Sequence, residues 1–283
     1  MRILLTGSSG QLGSEVARQL APDHEVIGLD VLPGRWTNRI ASVADRAAIF
    51  ALMEGMDAVI HTASLHARHI TTASKQDFID TNISGMLNLL EAAVQAAVRR
   101  FVYTSTTSVY GKALVPTDRA IWVTEALTPQ PRDIYDITKL AAEALCQHFA
   151  QAQRLPVIIL RTSRFYPEPP ELLATYRLYR GADVRDIAAA HLLAVANQTV
   201  HYDLFNISAH SPFQESDTPD LWHNAPAVLR QCVPDAESLF TRFGWALPAR
   251  IDRVYVIAKA EERLGYHPCY NFAEYMQDLQ AGG

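Results

Sequence analysis

Arg2-Ile3-Leu4-Leu5-Thr6-Gly7-Ser8-Ser9-Gly10-Gln11-Leu12-Gly13 is the stretch that decides the fold. Arg2 to Leu5 is a short apolar run, as expected of a parallel strand covered on both faces. It runs into a turn with glycine at 7, 10 and 13, and Ser14 to Leu20 then follows a helical pattern. Strand, glycine-rich turn and helix, in that order, make the frame that cradles a dinucleotide pyrophosphate. Gly7 permits the tight turn. Gly10 lets the backbone approach a phosphate at the helix N-terminus, where N–H groups and the dipole favour anions. Gly13 lets helix and strand pack closely, and Ser9, Gln11 and Leu12 complete the expected cradle. The spacing is G-x-x-G-x-x-G rather than G-x-G-x-x-G.

Downstream residues fit the same frame. His24 to Asp30 reads as the second strand, and Asp30 closes it 17 residues after Gly13. A carboxylate there accepts both ribose hydroxyls and repels a 2′-phosphate, which predicts NAD over NADP. Arg35, on the following loop, softens that preference. Asp45 follows a short candidate strand and is placed at the adenine. Asp57 to Ser64 reads as the fourth strand and its exit, which puts Thr62, Ala63 and Ser64 at the cofactor. His61, His66 and His69 lack a fourth ligand and are not read as a metal site. His66, Arg68 and His69 are placed at the substrate mouth; the plain alternative is an exposed loop.

Gln76 to Ala97 is a long helical pattern, with Phe78, Ile79, Ile83, Leu87, Leu90 and Val94 expected on its core face. Asn82 lies inside it and is expected to hold a structural water or a kink beside the cofactor. Arg100 to Ser105 is the fifth strand. Thr104 at its end is placed on the cofactor, and the hydroxyls of Ser105, Thr106 and Thr107 are candidates to hydrogen-bond a substrate oxygen.

Asp133-Ile134-Tyr135-Asp136-Ile137-Thr138-Lys139 then opens a helix that runs to Ala150, with Asp133 as its N-cap. Tyr135 and Lys139 are four apart and share a face. An ammonium beside a phenol favours phenolate and suits the tyrosine to proton transfer at a carbonyl or alcohol.

These residues together resemble the extended short-chain dehydrogenase/reductase family, in its NAD-dependent epimerase/dehydratase branch. The resemblance rests on Thr6-Gly7-x-x-Gly10-x-x-Gly13, His61-Thr62-Ala63-Ser64, Ser105-Thr106-Thr107-Ser108-Val109-Tyr110-Gly111 and Tyr135-x-x-x-Lys139. Lys259-Ala260 with Leu264-Gly265-Tyr266-x-Pro268 looks like the family's ending, so the likeness runs the full length. It implies Tyr135 as catalytic acid/base, Lys139 as holder of the nicotinamide ribose, and Thr106 as the catalytic hydroxyl, with Ser105 as the fallback. It also implies a homodimer through a four-helix bundle of 76–97 and 133–150.

The expected fold class is α/β: a Rossmann-type doubly wound parallel sheet with a smaller C-terminal helix-and-loop lobe. Residues 1–165, with 184–208 returning to them, form the dinucleotide-binding domain; 166–183 and 209–283 form the substrate lobe. Val157 to Arg161 and Tyr202 to Ser208 read as further sheet strands. Asp186, in a stretch similar to the family's Asp-Val-Ala helix, follows Arg161 by only 25 positions. Nucleotide-sugar epimerases carry a longer segment there. Arg164, Arg177 and Arg180 lie within it, and an arginine suits a carboxylate or phosphate; Arg164 and Arg177 are taken as substrate candidates. Arg253 is expected to begin the final helix.

The 283 residues carry a net charge of −5 and no basic block, which argues against nucleic acid or an acidic membrane as partner. The 49% hydrophobic and 19% charged content is that of an ordinary globular chain. Three scattered cysteines, an odd number, suggest a reducing, cytoplasmic setting. The apolar run at the N-terminus is too short for a signal peptide, and no stretch reaches a membrane span. The function expected is hydride transfer between NAD and a hydroxyl of a small polar substrate, a sugar or sugar acid. The alternatives are a nucleotide-sugar 4-epimerase that reduces NAD transiently, ahead of a dehydratase, and an NAD-binding redox sensor without turnover.

Overall fold

The computed structural model describes residues 1–282. The strands of the described residues, in chain order, are β1 (Arg2–Thr6), β2 (Glu25–Asp30), β3 (Arg39–Ile40), β4 (Ala58–His61), β5 (Arg100–Thr106), β6 (Ile121–Val123), β7 (Val157–Thr162), β8 (Tyr202–Ile207) and β9 (Arg253–Tyr255). Seven make one sheet in the order β3-β2-β1-β4-β5-β7-β8, and β1–β2, β1–β4, β2–β3 and β4–β5 pair in parallel. Parallel strands need crossovers, and the helices that supply them cover the sheet. This is the Rossmann-type architecture expected from the first twelve residues. The chain builds outward from β1 to β3, then restarts at β4 on β1's other side. Such a reversal opens a crevice at the strands' carboxyl ends. Thr6 is in register with His61, and His61 with Tyr103, so β1 and β4 end together at that crevice and β5 runs on to Thr106.

The chain folds into two compact units. The first is Met1–Val109, Pro131–Arg161 and Ile187–Phe205; the second is Tyr110–Gln130, Thr162–Asp186 and the chain from Asn206. Residues 110–130, placed with the first lobe from sequence, thus belong to the second. One reason is β6, which pairs with β9 more than a hundred residues later.

The first unit's core lies between sheet and helices. Leu4, Val59, Phe101 and Ile159 of the strands pack with Met86, Leu89, Leu90 and Ala93, and with Cys146 and Phe149. Each large side chain so buried contributes about 1.5–3 kcal/mol. The helices involved are α1 (Gln11–Leu20), α2 (Arg46–Met53), α3 (Lys75–Ile79), α4 (Gly85–Gln95) and α5 (Ile134–Ala152). Between α3 and α4 lies a π-helical turn, Asp80–Ser84. It adds a residue to the turn and rotates everything after it. The expected core face is corrected accordingly. Phe78 and Leu90 are buried, but Leu87 is 36% exposed, and Met86, Leu89 and Ala93 take the core positions instead.

In the second unit Ala174, Leu178, Phe213, Leu221, Leu229, Phe240, Ile251 and Val254 form a separate core. Arg253 does not begin a helix: it opens β9, opposite Ile121 of β6. Strands of three residues carry no periodicity to read, and their pairing is remote in sequence. The last helices are instead Ala258–Leu264 and Phe272–Gly282. No helix of the described residues is long and apolar enough to cross a membrane.

Candidate active site

Gly7 adopts φ +78°, and a Cβ there would stand 2.5 Å from Thr62 Oγ1. A Cβ on Gly13 would stand 2.0 Å from Gly7 O, so that helix α1 can lie against the turn only without one. Gly10 is exposed and begins α1 with no side chain capping it. An uncapped helix start with bare backbone before it is the arrangement that accepts a phosphate. Of the expected cradle, Gln11 is exposed, whereas the Leu12 side chain is buried, leaving only its backbone for a ligand. Ser9 is tied back: its hydroxyl donates to Leu32 O at 2.7 Å and lies 2.7 Å from Thr37 Oγ1.

Asp30 ends β2 beside this turn. Its Oδ2 accepts from Ser9 N and its Oδ1 from Leu32 N, both at 3.0 Å. Two backbone donors hold the carboxylate at the end of β2, beside the glycine turn. Arg35 lies over the Trp36 ring. Asp45 proves to be the N-cap of α2, accepting from Ala48 N at 3.1 Å, a structural task the sequence did not suggest.

The exit of β4 is fixed from two sides. Thr62 Oγ1 donates to Thr6 O at 2.8 Å, and Ala63 N donates to Thr6 Oγ1 at 3.3 Å. Beyond it, Asn82 in the π turn accepts from Leu65 N at 2.9 Å and from the Ser64 hydroxyl at 3.1 Å. Its amide donates to Leu65 O at 3.1 Å and to Thr138 Oγ1 at 3.0 Å. Asn82 is therefore a clamp joining the β4 exit to α5, at the position where a structural water or a kink beside the cofactor was expected. His61 hydrogen-bonds Thr6 Oγ1 at 2.7 Å and stacks on Tyr103. Burial pushes its pKa down to about 3, so the ring is neutral.

Asp133 caps α5 by accepting from Asp136 N at 2.9 Å, as the sequence predicts. Tyr135 and Lys139 follow on one face, both buried. Lys139 Nζ donates to the Thr104 carbonyl at 2.7 Å and sits 4.4 Å from the centre of the Tyr103 ring. Burial pushes this lysine's pKa down to about 7, against the opposing charge of Glu143. Thr104 is itself oriented, its Oγ1 lying 2.8 Å from His191 Nε2.

Alternation along β5 sends the two hydroxyl candidates to opposite faces. Ser105 is buried and donates to Glu143 Oε1, so it faces the helix and is removed as a substrate contact. Thr106 is partly exposed, and its Oγ1 accepts from Ser108 N at 3.1 Å. Thr107 is buried.

Three residues escaped the sequence reading. Asp136, fully buried, accepts from the Ser108 hydroxyl and from Arg132 N and Nε, and so ties the β5 exit to the start of α5. Glu143 is paired with Arg161, whose Nε and Nη2 lie 3.0 and 2.6 Å from its oxygens. His191 steadies Thr104. Glu143 had a legible signal, its position four residues beyond Lys139; His191 had none, because its contact is 87 residues away in sequence.

His66 belongs to the loop after β4, with its ring centre 6.1 Å from that of Tyr135. His69 Nδ1 accepts from His66 N at 2.8 Å. Burial pushes the His66 pKa down to about 3, so this neighbour of Tyr135 is a neutral imidazole. Arg68 is exposed.

In the second unit the arginine candidates are engaged. Arg177 is buried, pairs with Asp183 at 2.7 Å and donates to Tyr270 O at 3.1 Å, which removes it as a substrate ligand. Arg164 pairs with Glu168, and Arg180 lies 3.8 Å from Asp252. No cluster of three His, Cys, Asp or Glu able to hold a metal occurs among the described residues.

Comparison with known proteins adds the following. The model of the NAD-dependent epimerase/dehydratase family matches residues 3–173. An uncharacterized UDP-glucose epimerase of Bacillus subtilis is 29% identical over 201 residues, covering 64% of this chain and 62% of that protein. An L-arabinose 1-dehydrogenase (NAD(P)+) of Haloferax volcanii is 30% identical, over 56% of this chain and 65% of its own. A uronate dehydrogenase of Pseudomonas putida is 28% identical, over 63% and 67%. The chain thus spans less than two thirds of the length of the first curated relatives it matches. Among solved structures, a short-chain dehydrogenase/reductase superfamily protein of Agrobacterium tumefaciens with bound NAD superposes with a TM-score of 0.74 at 22% identity, covering 99% of this chain and 96% of that one. A UDP-glucose 4-epimerase of Thermotoga maritima with UDP-glucose gives 0.71 at 21%, covering 100% and 99%. At such identities the likeness establishes the fold.

Proposed function

The chain belongs to the NAD-dependent epimerase/dehydratase family, and from that premise we propose that it is an NAD-dependent dehydrogenase acting on a hydroxyl of a free sugar or sugar acid. The observation that carries the chemistry is Tyr135 and Lys139 buried on one face of α5, with the lysine bonded to the Thr104 carbonyl at the end of β5. Gly7, Gly10 and Gly13, the start of α1, Asp30 and Lys139 would hold NAD. When bound, the cofactor supplies a two-electron acceptor. Tyr135 takes the hydroxyl proton as the carbon-bound hydrogen leaves with its electron pair, so alcohol becomes carbonyl. Thr106 donates to the substrate oxygen and fixes it beside the phenol. Lys139 orients the nicotinamide ribose.

The substrate class rests on the second unit. A nucleoside diphosphate needs cations to grip it, and Arg164, Arg177 and Arg180 each face an acidic partner within their own unit. A small substrate asks less of them. The relationship to a UDP-glucose epimerase keeps 4-epimerisation as the second reading, with hydride returned to the opposite face of the same carbon. Purified protein with NAD and a panel of free sugars, uronates and UDP-sugars separates the two by nicotinamide absorbance. Stoichiometric reduced cofactor with a free sugar or uronate supports the dehydrogenase. Conversion of a UDP-sugar without net reduction supports the epimerase. No change with any substrate returns the question to the sensor.

Two further features complete the reading. Leu87 on α4 and Ile137 on α5 are large apolar side chains, 36% and 49% exposed, on the helices expected to join two copies. Cys146, Cys232 and Cys269 are all free thiols, which suits a reducing, cytoplasmic setting.

A further inference from the structure

Lys139 is buried among groups of which the Tyr103 ring and the Thr104 carbonyl favour a cation without carrying a net charge. From β5 come the Tyr103 ring and the Thr104 carbonyl, from β4 the neutral His61, and from the following loop the neutral His66. On α5 itself the neighbours are Tyr135, Glu143 and Cys146, and β7 contributes Arg161 bound to Glu143. Glu143 is the carboxylate of this set, 5% exposed, one helical turn beyond the lysine. Its Oε1 accepts from Ser105 Oγ and Arg161 Nε, and its Oε2 from Arg161 Nη2. A carboxylate held by three donors from two strands cannot swing away.

We propose that Glu143 is a positioning residue for the reaction, acting through Lys139: locked by Ser105 and Arg161, it is the counter-charge that strengthens the buried amine's hold on its proton. The role in catalysis rests on the function proposed above; the charge balance does not. The usual reason for a buried Glu–Arg pair is that each partner neutralises the other. Here the pair shares its surroundings with a second cation. Removing the carboxylate leaves Arg161 and Lys139 buried together with no anion. Arginine does not give up its proton, so the lysine releases its own more readily. A neutral Lys139 no longer offers its charge to the Tyr135 phenol and holds a ribose less firmly.

The consequence can be read without substrate or cofactor. The folded-state pKa of Lys139, about 7, lies below its ordinary 10.5. Between those values the unfolded chain carries the extra proton, so this residue's contribution to stability declines as pH falls from 10.5 and levels off below about 7. In Glu143→Gln the levelling moves about one pH unit or more lower. The variant's deficit in melting temperature relative to wild type should therefore grow by roughly half or more between about pH 8.5 and pH 6. Adding Lys139→Met should abolish that growth. If Glu143→Gln does not fold, Glu143→Gln with Arg161→Met, compared with and without Lys139→Met, gives the same test with a smaller slope. A deficit that stays constant across this range, with Lys139→Met making no difference, overturns the proposal and reduces Glu143 to Arg161's partner.

Titration with NAD adds an independent readout. Glu143→Gln should bind NAD about tenfold more weakly than wild type near pH 8 and recover toward wild type near pH 6. An equal loss at both pH values overturns the proposal. Wild type that binds no NAD at all removes the proposed function, while the melting experiment still decides the charge balance.

Discussion

The Asn82 amide donates to the Thr138 hydroxyl at 3.0 Å, one residue before Lys139. The same side chain bonds both backbone groups of Leu65. One buried amide therefore sets the distance between the loop that leaves β4 and the helix that carries Tyr135. Its position depends on the π turn at Asp80–Ser84, which presents residue 82 to the site and buries it.

Asn82→Ala should strip partners from Leu65 and Thr138. Unmade buried hydrogen bonds cost about 1–3 kcal/mol each, partly relieved by water. We expect a loss on the order of 2–4 kcal/mol in denaturant unfolding, and NAD affinity lowered about tenfold or more. A variant as stable as wild type with normal NAD binding would remove the clamp from the account.

Asp30→Ala should weaken NAD by about tenfold or more and NADP by less, because a carboxylate held by Ser9 N and Leu32 N favours the free diol and opposes a 2′-phosphate. Parallel binding curves for the two cofactors decide it. An equal loss of both would mean that Asp30 only braces the turn.

Acid should destabilise the chain through neutral histidines. The His191 pKa is pushed down to about 4 by burial, and that of His61 to about 3. Below the ordinary value near 6.5 the unfolded chain gains protons that these folded rings refuse, so stability falls as pH falls from about 6.5 toward 4. The loss over the full window is on the order of 3 kcal/mol for His191 and about 5 kcal/mol for His61. His191→Gln keeps a polar side chain but does not titrate. Its unfolding free energy should change with pH by about one proton less than wild type between pH 6 and 4.5. Identical slopes would contradict the assignment.

Ile137→Glu should convert a dimer to monomer in light scattering behind a sizing column. The substitution puts a charge on the exposed face of α5, where Ile137 is 49% exposed. Wild type already monomeric at micromolar concentration would end the dimer proposal.

Much of the first unit was legible because its instructions are local. The strand-to-Gly13 stretch, Asp30 at the end of β2 and the Asp133 cap each state their role within a few residues. The Tyr135/Lys139 spacing likewise follows from helix geometry alone. What stayed hidden needs distant partners. Leu87 was assigned to the core because the π turn, invisible in the apolar pattern, rotates α4. Ser105 stayed the fallback to Thr106 until Glu143 was seen to take the serine. Arg177 looked like a ligand for an anion until Asp183 stood beside it, and Arg253 looked helical because three-residue β9 has no pattern of its own.

Tyr135→Phe tests the central claim most directly, once a substrate reducing NAD is in hand. Removing one hydroxyl from a buried ring leaves packing and the Lys139–Thr104 bond in place. Steady-state turnover and NAD affinity should be measured on the same preparation. We predict turnover lowered by about 10²–10⁴-fold with NAD affinity within about twofold of wild type. Turnover close to wild type, or turnover and NAD binding lost together, would show that the proton leaves by another route.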